Sequence, residues 1–162
     1  MVKLVATDMD GTLLDSGKKL PEEFFRIVEA LPEVKFVIAS GRQYYNILKE
    51  CAPVQNRISV IAENGAVIAE EKTVLSTETM DAPVALTVAK KAVTLPETCF
   101  ILCGEQAAHI VGDASEQMLY KAHSYYERVE RTDDFEAVLR RDRILKIAVY
   151  RHKRAEDFLF PS

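Results

Sequence analysis

The residues best suited to chemistry in this 162-residue chain fall into three short groups. They are Asp8-Met9-Asp10-Gly11-Thr12, Ser40-Gly41-Arg42 and Glu63-Asn64-Gly65. Asp8 and Asp10 stand two residues apart. On a backbone that stays extended past Asp8, their side chains share one side, at most about 7 Å apart. Carboxylates that close repel each other, and a hard divalent cation such as Mg2+, which prefers oxygen ligands, relieves the repulsion. Crowding is also expected to raise one of the two pKa values. One carboxylate then stays ionised as a nucleophile while the other can carry a proton. Gly11 permits a sharp turn, and the Thr12 hydroxyl can hold a carboxylate. Ser40 and the Gly41 amide, ahead of a helix N-terminus, make an anion site. Arg42 can contact a phosphate or substrate, or pair with an Asp or Glu. Asn64-Gly65 is a frequent turn pair; at a strand end, Asn64 can also contact a substrate or phosphate. Singly, each group also reads as a polar turn or a helix cap. Their convergence carries the functional reading.

What must bring them together is a sheet. Each group follows a short apolar run: Lys3 to Thr7, Lys35 to Ala39 and Ser59 to Ala62. Such runs read as buried parallel strands. A helix opens at Pro21, carries Phe24, Ile27, Val28 and Leu31, and ends at Pro32. A second carries Tyr44, Ile47, Leu48 and Cys51 and ends at Pro53. Strand, helix, strand, helix, strand with short links predicts an α/β parallel sheet, whose ligands lie beyond the carboxyl ends of the strands. The rhythm changes after about Ala66. Val67 to Thr77 reads as a hairpin around Glu70-Glu71-Lys72. Asp81 and Pro83 open a helix through about Val93. Cys99 to Cys103 and Ala108 to Val111 read as adjacent strands joined at Gly104-Glu105-Gln106. Met118, Ala122 and Tyr125 mark a helix. Asp133 and Glu136 form a capping box for a helix carrying Phe135, Val138 and Leu139. Ile144 to Tyr150 is a last strand. The division predicted is an α/β unit over residues 1–80 and an α+β unit over 81–162.

Hydrophobic residues make up 48% and charged residues 28%, which are globular proportions. Twenty-five acidic against 21 basic residues give a net charge of −4, with no basic run. That argues against a nucleic-acid or anionic-membrane partner. No apolar stretch reaches the ~20 residues a bilayer span needs. Of three cysteines, Cys99 and Cys103 fall on one strand about 13 Å apart, too far for a disulfide. A reducing, cytoplasmic location is expected.

The run Asp8-Met9-Asp10-Gly11-Thr12-Leu13-Leu14 resembles motif I of the haloacid dehalogenase (HAD) superfamily. Ile38-Ala39-Ser40-Gly41-Arg42 is similar to its motif II. Glu63-Asn64-Gly65-Ala66 is similar to a segment of its Cof-type (cap class IIB) phosphatases. The resemblance implies a Rossmann-like core, of which residues 1–80 supply the N-terminal half, and an incomplete α+β cap over 81–162. It implies Mg2+-dependent hydrolysis of small phosphorylated metabolites through an aspartyl phosphate. Asp8 would be the nucleophile. Asp10 would protonate the leaving oxygen and then deprotonate water. Ser40 and the Gly41 amide would hold phosphoryl oxygens, and Thr12, Arg42 and Asn64 would be phosphate or substrate contacts. Mg2+ would sit on the Asp8 carboxylate and the Asp10 main-chain carbonyl.

The family's C-terminal motifs, a phosphate-steadying lysine and a GDxxND-like acidic loop, have no counterpart in the sequence. Gly112-Asp113 reads as a turn, and Lys146 as a structural or solvated residue. The chain therefore reads as truncated, with the strand of Asp8 open along one edge and available for self-association. The alternative function is a non-catalytic remnant or interaction module of the same fold. His109, His123 and His152 share no metal-ligand spacing and read as surface or packing residues. Tyr120, Tyr125 and Tyr126 read as core or interface. Arg140, Arg141, Arg143 and residues 151–154 read as solvated charge.

Overall fold

The computed structural model describes residues 1–95, 98–112 and 114–151. His152, most of the basic 151–154 segment and Asp113 of the Gly112-Asp113 pair lie outside them. The chain divides into two compact units, Met1–Glu78 and a second from Thr79 onward.

In the first unit, β1 (Leu4–Asp8), β2 (Lys35–Ala39) and β3 (Ile58–Ala62) run parallel, and β4 (Val67–Glu70) and β5 (Thr73–Thr77) follow as an antiparallel hairpin. The sheet order is β1-β2-β3-β4-β5. Helix α1 (Glu22–Ala30) starts with Glu22 and Glu23, which suit the positive end of its dipole. It buries Phe24 and Val28, four residues apart on one face. Phe24 stands edge-on to Phe36 of β2, with ring centroids 6.4 Å apart. Burying side chains of this size contributes roughly 1.5–3 kcal/mol each. Helix α2 (Tyr44–Glu50) buries Tyr44, Asn46 and Ile47. The β4–β5 turn places Glu71 (φ 48°) and Lys72 (φ 69°) in the left-handed region, the twist a two-residue hairpin needs.

In the second unit, β6 (Thr98–Gly104), β7 (Ala108–Val111), β8 (Val129–Thr132) and β9 (Ile144–Arg151) form a sheet in the order β8-β7-β6-β9. The period-2 alternation of β6 feeds two cores. Cys99, Ile101 and Cys103 pack with Met118 and Ala122 of α4 (Glu116–Tyr125). Phe100 and Leu102 pack with Ala85, Ala89 and Ala92 of α3 (Ala82–Ala92) and Val138 of α5 (Phe135–Arg141). Three alanines at helical spacing give α3 a smooth face that lies close to the strands.

Two sequence expectations change, the burial of the first strand and the cap of α5. The first strand is not buried: Leu4 is 54% and Val5 37% exposed, because β1 is an edge strand with β2 as its one partner among the described residues. Ser40-Gly41-Arg42 lies ahead of the helix as expected, since α2 begins at Tyr44 with Gln43 as its cap. The cap of α5 is Asp134, one residue later than expected, whose side chain accepts from the Ala137 amide at 2.8 Å. Of the three tyrosines, Tyr126 is buried, while Tyr120 and Tyr125 face solvent.

Candidate active site at the strand ends

The register brings the three groups level. Asp8 pairs with Ala39, and Ala39 with Ile61, so β1, β2 and β3 end side by side. Backbone hydrogen bonds then join the second and third loops. The Ser40 amide donates to the Ile61 carbonyl (2.9 Å), Glu63 N–H to the Arg42 carbonyl (3.1 Å) and Asn64 N–H to the Ser40 carbonyl (3.4 Å). Asn64 holds φ 61°, a left-handed conformation that Asn tolerates. Its side-chain oxygen lies so close over Gly41 that a Cβ there would collide with it. Gly41 is therefore required by the approach of the third loop.

The first loop does not continue the strand. Met9–Leu13 forms a five-residue turn with Met9 buried and Gly11 at φ 77°, closed by the Leu14 amide donating to the Met9 carbonyl at 2.9 Å. The extended geometry expected for Asp8 and Asp10 is thus replaced by a turn between them. Asp8 is exposed at the end of β1. Asp10 is gripped side-on by Arg42: Nε donates to one carboxylate oxygen and Nη2 to the other, both at 2.8 Å. The Arg42 side chain is 3% exposed and that of Asp10 36%. Arg42 Nη1 donates in turn to Asn46 Oδ1 at 3.1 Å, and the Arg42 amide donates to Ser40 Oγ at 3.2 Å.

The Arg42 hydrogen bond is the largest influence on the Asp10 carboxyl and holds it below the ordinary carboxylate range. Burial opposes that, while the charges of Arg42 and Lys18 reinforce it. The expected upward shift from carboxylate crowding is not what Asp10 shows, because its nearest charge is a guanidinium. Of the two roles open to Arg42, the structure holds the ion pair. Thr12 is exposed, and its hydroxyl holds no carboxylate among the described residues. Asp8, Ser40, Gly41, Asn64 and Asp10 are gathered at one sheet end.

Sequence reasoning passed over Asn46 and Lys18. Asn46 stands four residues after Arg42, a spacing that puts two side chains within reach. Among other reactive groups, burial pushes the Cys51 thiol up to about 12, which leaves it an inert core residue. Among the described residues no group of three or more His, Cys, Asp or Glu side chains could hold a metal, and no helix is long and apolar enough to cross a membrane. Asp8 and Asp10 still fit part of a site for a hard cation. Asp8 offers an exposed carboxylate, while both side-chain oxygens of Asp10 are taken by Arg42.

Residues 5–160 match the family described as haloacid dehalogenase-like hydrolase. The chain belongs to that family. It is 35% identical over 139 residues to 5-amino-6-(5-phospho-D-ribitylamino)uracil phosphatase YbjI of Escherichia coli K12, a match covering 83% of this chain and 51% of that protein. Its fold is that of SMU.1108c from Streptococcus mutans UA159 (TM-score 0.81, 24% identity, 92% of this chain and 57% of the other). It is also that of the HAD subclass IIB sugar phosphatase BT4131 (TM-score 0.70, 20% identity, 88% and 56%). The α/β, Rossmann-like fold class is therefore that of the HAD hydrolases. The chain spans about half the length of its E. coli relative.

Proposed function

We propose that this chain carries the nucleophile half of a HAD-type phosphatase that hydrolyses small phosphorylated metabolites. The observation that supports this most is the meeting of an exposed Asp8, an arginine-held Asp10 and the Ser40-Gly41 loop at one sheet end. An Asp8 carboxylate oxygen attacks phosphorus. The bond to the leaving alkoxide breaks, and Asp10 supplies its proton. The resulting acyl phosphate is hydrolysed by water, whose proton returns to Asp10. Ser40 Oγ, which already accepts from the Arg42 amide, has its O–H left to donate to a phosphoryl oxygen, and the Gly41 amide lies beside it. Mg2+, held by the Asp8 carboxylate and the Asp10 carbonyl, would neutralise phosphoryl charge. Arg42 favours ionised Asp10, so the pair suits the base role in the second half-reaction. It works against the proton delivery in the first. Thr12 and Asn64 are assigned as phosphate or substrate contacts, and residues 81–162 are assigned to the α+β cap domain of the family. The edge of β1 that has no strand partner among the described residues is the proposed surface for self-association.

The test is turnover of p-nitrophenyl phosphate by the full-length protein with Mg2+. Asp8→Asn is expected to abolish it. Undiminished turnover by that variant would remove Asp8 from the nucleophile role.

A further inference from the structure

Helix α2 buries Tyr44, Asn46 and Ile47. Tyr44 and Ile47 suit a helix packed on a sheet. Asn46, at 3% exposed, does not. A buried amide costs free energy unless it is hydrogen-bonded, and an apolar side chain of similar size would fill the space without that cost. Packing therefore does not account for the residue. Its contact does: Oδ1 accepts from Arg42 Nη1 at 3.1 Å.

Arg42 gains from a fixed point there. Its side chain is long, and its rotamer freedom must be suppressed before the guanidinium can hold a carboxylate in one place. The main chain of Arg42 is pinned at the loop, its amide on Ser40 Oγ at 3.2 Å and its carbonyl accepting from the Glu63 amide at 3.1 Å. At the far end, Nε and Nη2 grip Asp10, both at 2.8 Å. Asp10 lies in the first loop with its side chain 36% exposed, so it is the member of the pair that needs holding. Nη1 lies outside the edge that meets Asp10. The Asn46 oxygen on it, carried by a helix, joins Nε and Nη2 in fixing the plane of the guanidinium.

We propose that Asn46 is a positioning residue for the reaction at Asp8 and Asp10. It fixes the Arg42 guanidinium, which in turn sets where the Asp10 carboxylate stands. The proposal rests on the phosphatase reading and deepens it by a residue that acts through Arg42.

The test is steady-state turnover of p-nitrophenyl phosphate by the full-length protein with Mg2+. Asn46→Ala is expected to lower kcat about ten- to a hundredfold, the range for residues that orient a reacting group. KM should stay within about twofold, because Asp10 serves the chemical steps and not ground-state binding. In an Arg42→Ala background, Asn46→Ala should lower kcat no further, since its effect runs through that arginine. Tyr44→Phe removes another hydrogen bond of the same helix, from the Tyr44 hydroxyl to the Lys72 carbonyl (3.1 Å), and should leave kcat unchanged. Where Asn46→Ala does not fold, Asn46→Gln, which keeps the amide and moves its oxygen by one methylene, carries the same expectation. Wild-type kcat in the folded variant, an equal loss in Tyr44→Phe, or a further loss in the Arg42→Ala background would overturn the role of Asn46. The phosphatase reading would stand in each case if Asp8→Asn still abolished turnover. Turnover that survives Asp8→Asn would bring down that reading, and the role of Asn46 with it.

Discussion

Each unit buries one charged cluster, and the two are finished differently. In the first, Arg42 is enclosed but its carboxylate partner is not: Asp10 is 36% exposed and stands beside an open Asp8. In the second, Asp142 is enclosed with its partners. Its side chain is 1% exposed and accepts from the Gln106 and Ala107 amides (3.2 and 3.4 Å), and it lies 2.9 Å from His109 Nε2. His109 Nδ1 faces Glu130 at 3.3 Å, and Glu130 is taken by Arg141 at 2.7 Å. The Asp142 carboxylate also lies where a Cβ on Gly104 would have to go. The second cluster has its oxygens turned inward and works as a clasp between the β6–β7 turn and the end of α5. The first leaves oxygen facing solvent at a sheet end, which is what a reactive site requires. The sheets follow the same contrast: β6 is covered by helices on both faces, whereas β1 exposes Leu4 and Val5 and has β2 as its one strand partner among the described residues.

Asp142→Ala should give the largest loss. It strands two amides and a buried imidazole, and breaking a buried pair of this kind costs about 3–5 kcal/mol. Chemical denaturation of the protein reads this directly; a loss under about 1 kcal/mol would mean that the clasp is not structural. Arg42→Ala should cost less, about 2–3 kcal/mol, since Asp10 remains partly hydrated. This loss has a pH signature. The folded Asp10 carboxyl lies below its ordinary 3.8, so its contribution is present above that value and disappears as pH falls through the lower folded value. Wild type and variant should therefore differ most at neutral pH and converge in acid. A gap that is constant with pH would place the arginine's worth in packing and not in Asp10. Val5→Lys should change folding stability by no more than about 0.5 kcal/mol, because the side chain is already exposed. It should still reduce self-association, measured by light scattering, by charging the edge of β1. Association that survives the charge would direct attention to another surface.

Apolar runs make the three parallel strands legible and apolar spacing makes α1, α2, α4 and α5 so, while the hairpin follows from the turn at Glu70-Glu71-Lys72 and α3 from its start at Asp81 and Pro83. The burial expected of β1 fails because an apolar run does not say whether a neighbour is there to cover it. Asp133 fits the capping-box spacing to Glu136, but the Asp134 beside it is the cap and accepts from the next amide, that of Ala137. At the site, the residue types and their strand-end positions were legible. The partnership of Asp10 with Arg42 was not, since it joins residues 32 apart through a turn whose path no periodicity describes. His109 reads as a packing residue in sequence, and its two carboxylate neighbours come from β8 and from the residue after α5.

The central claim is that Asp8 takes the phosphoryl group. Its most direct test is peptide-resolved mass spectrometry of the full-length protein, quenched in acid after exposure to p-nitrophenyl phosphate and Mg2+. The account predicts one phosphoryl group on the peptide containing Asp8, absent without Mg2+ and absent from Asp8→Asn. A phosphoryl group on any other residue, or turnover with Asp8 replaced, would contradict it.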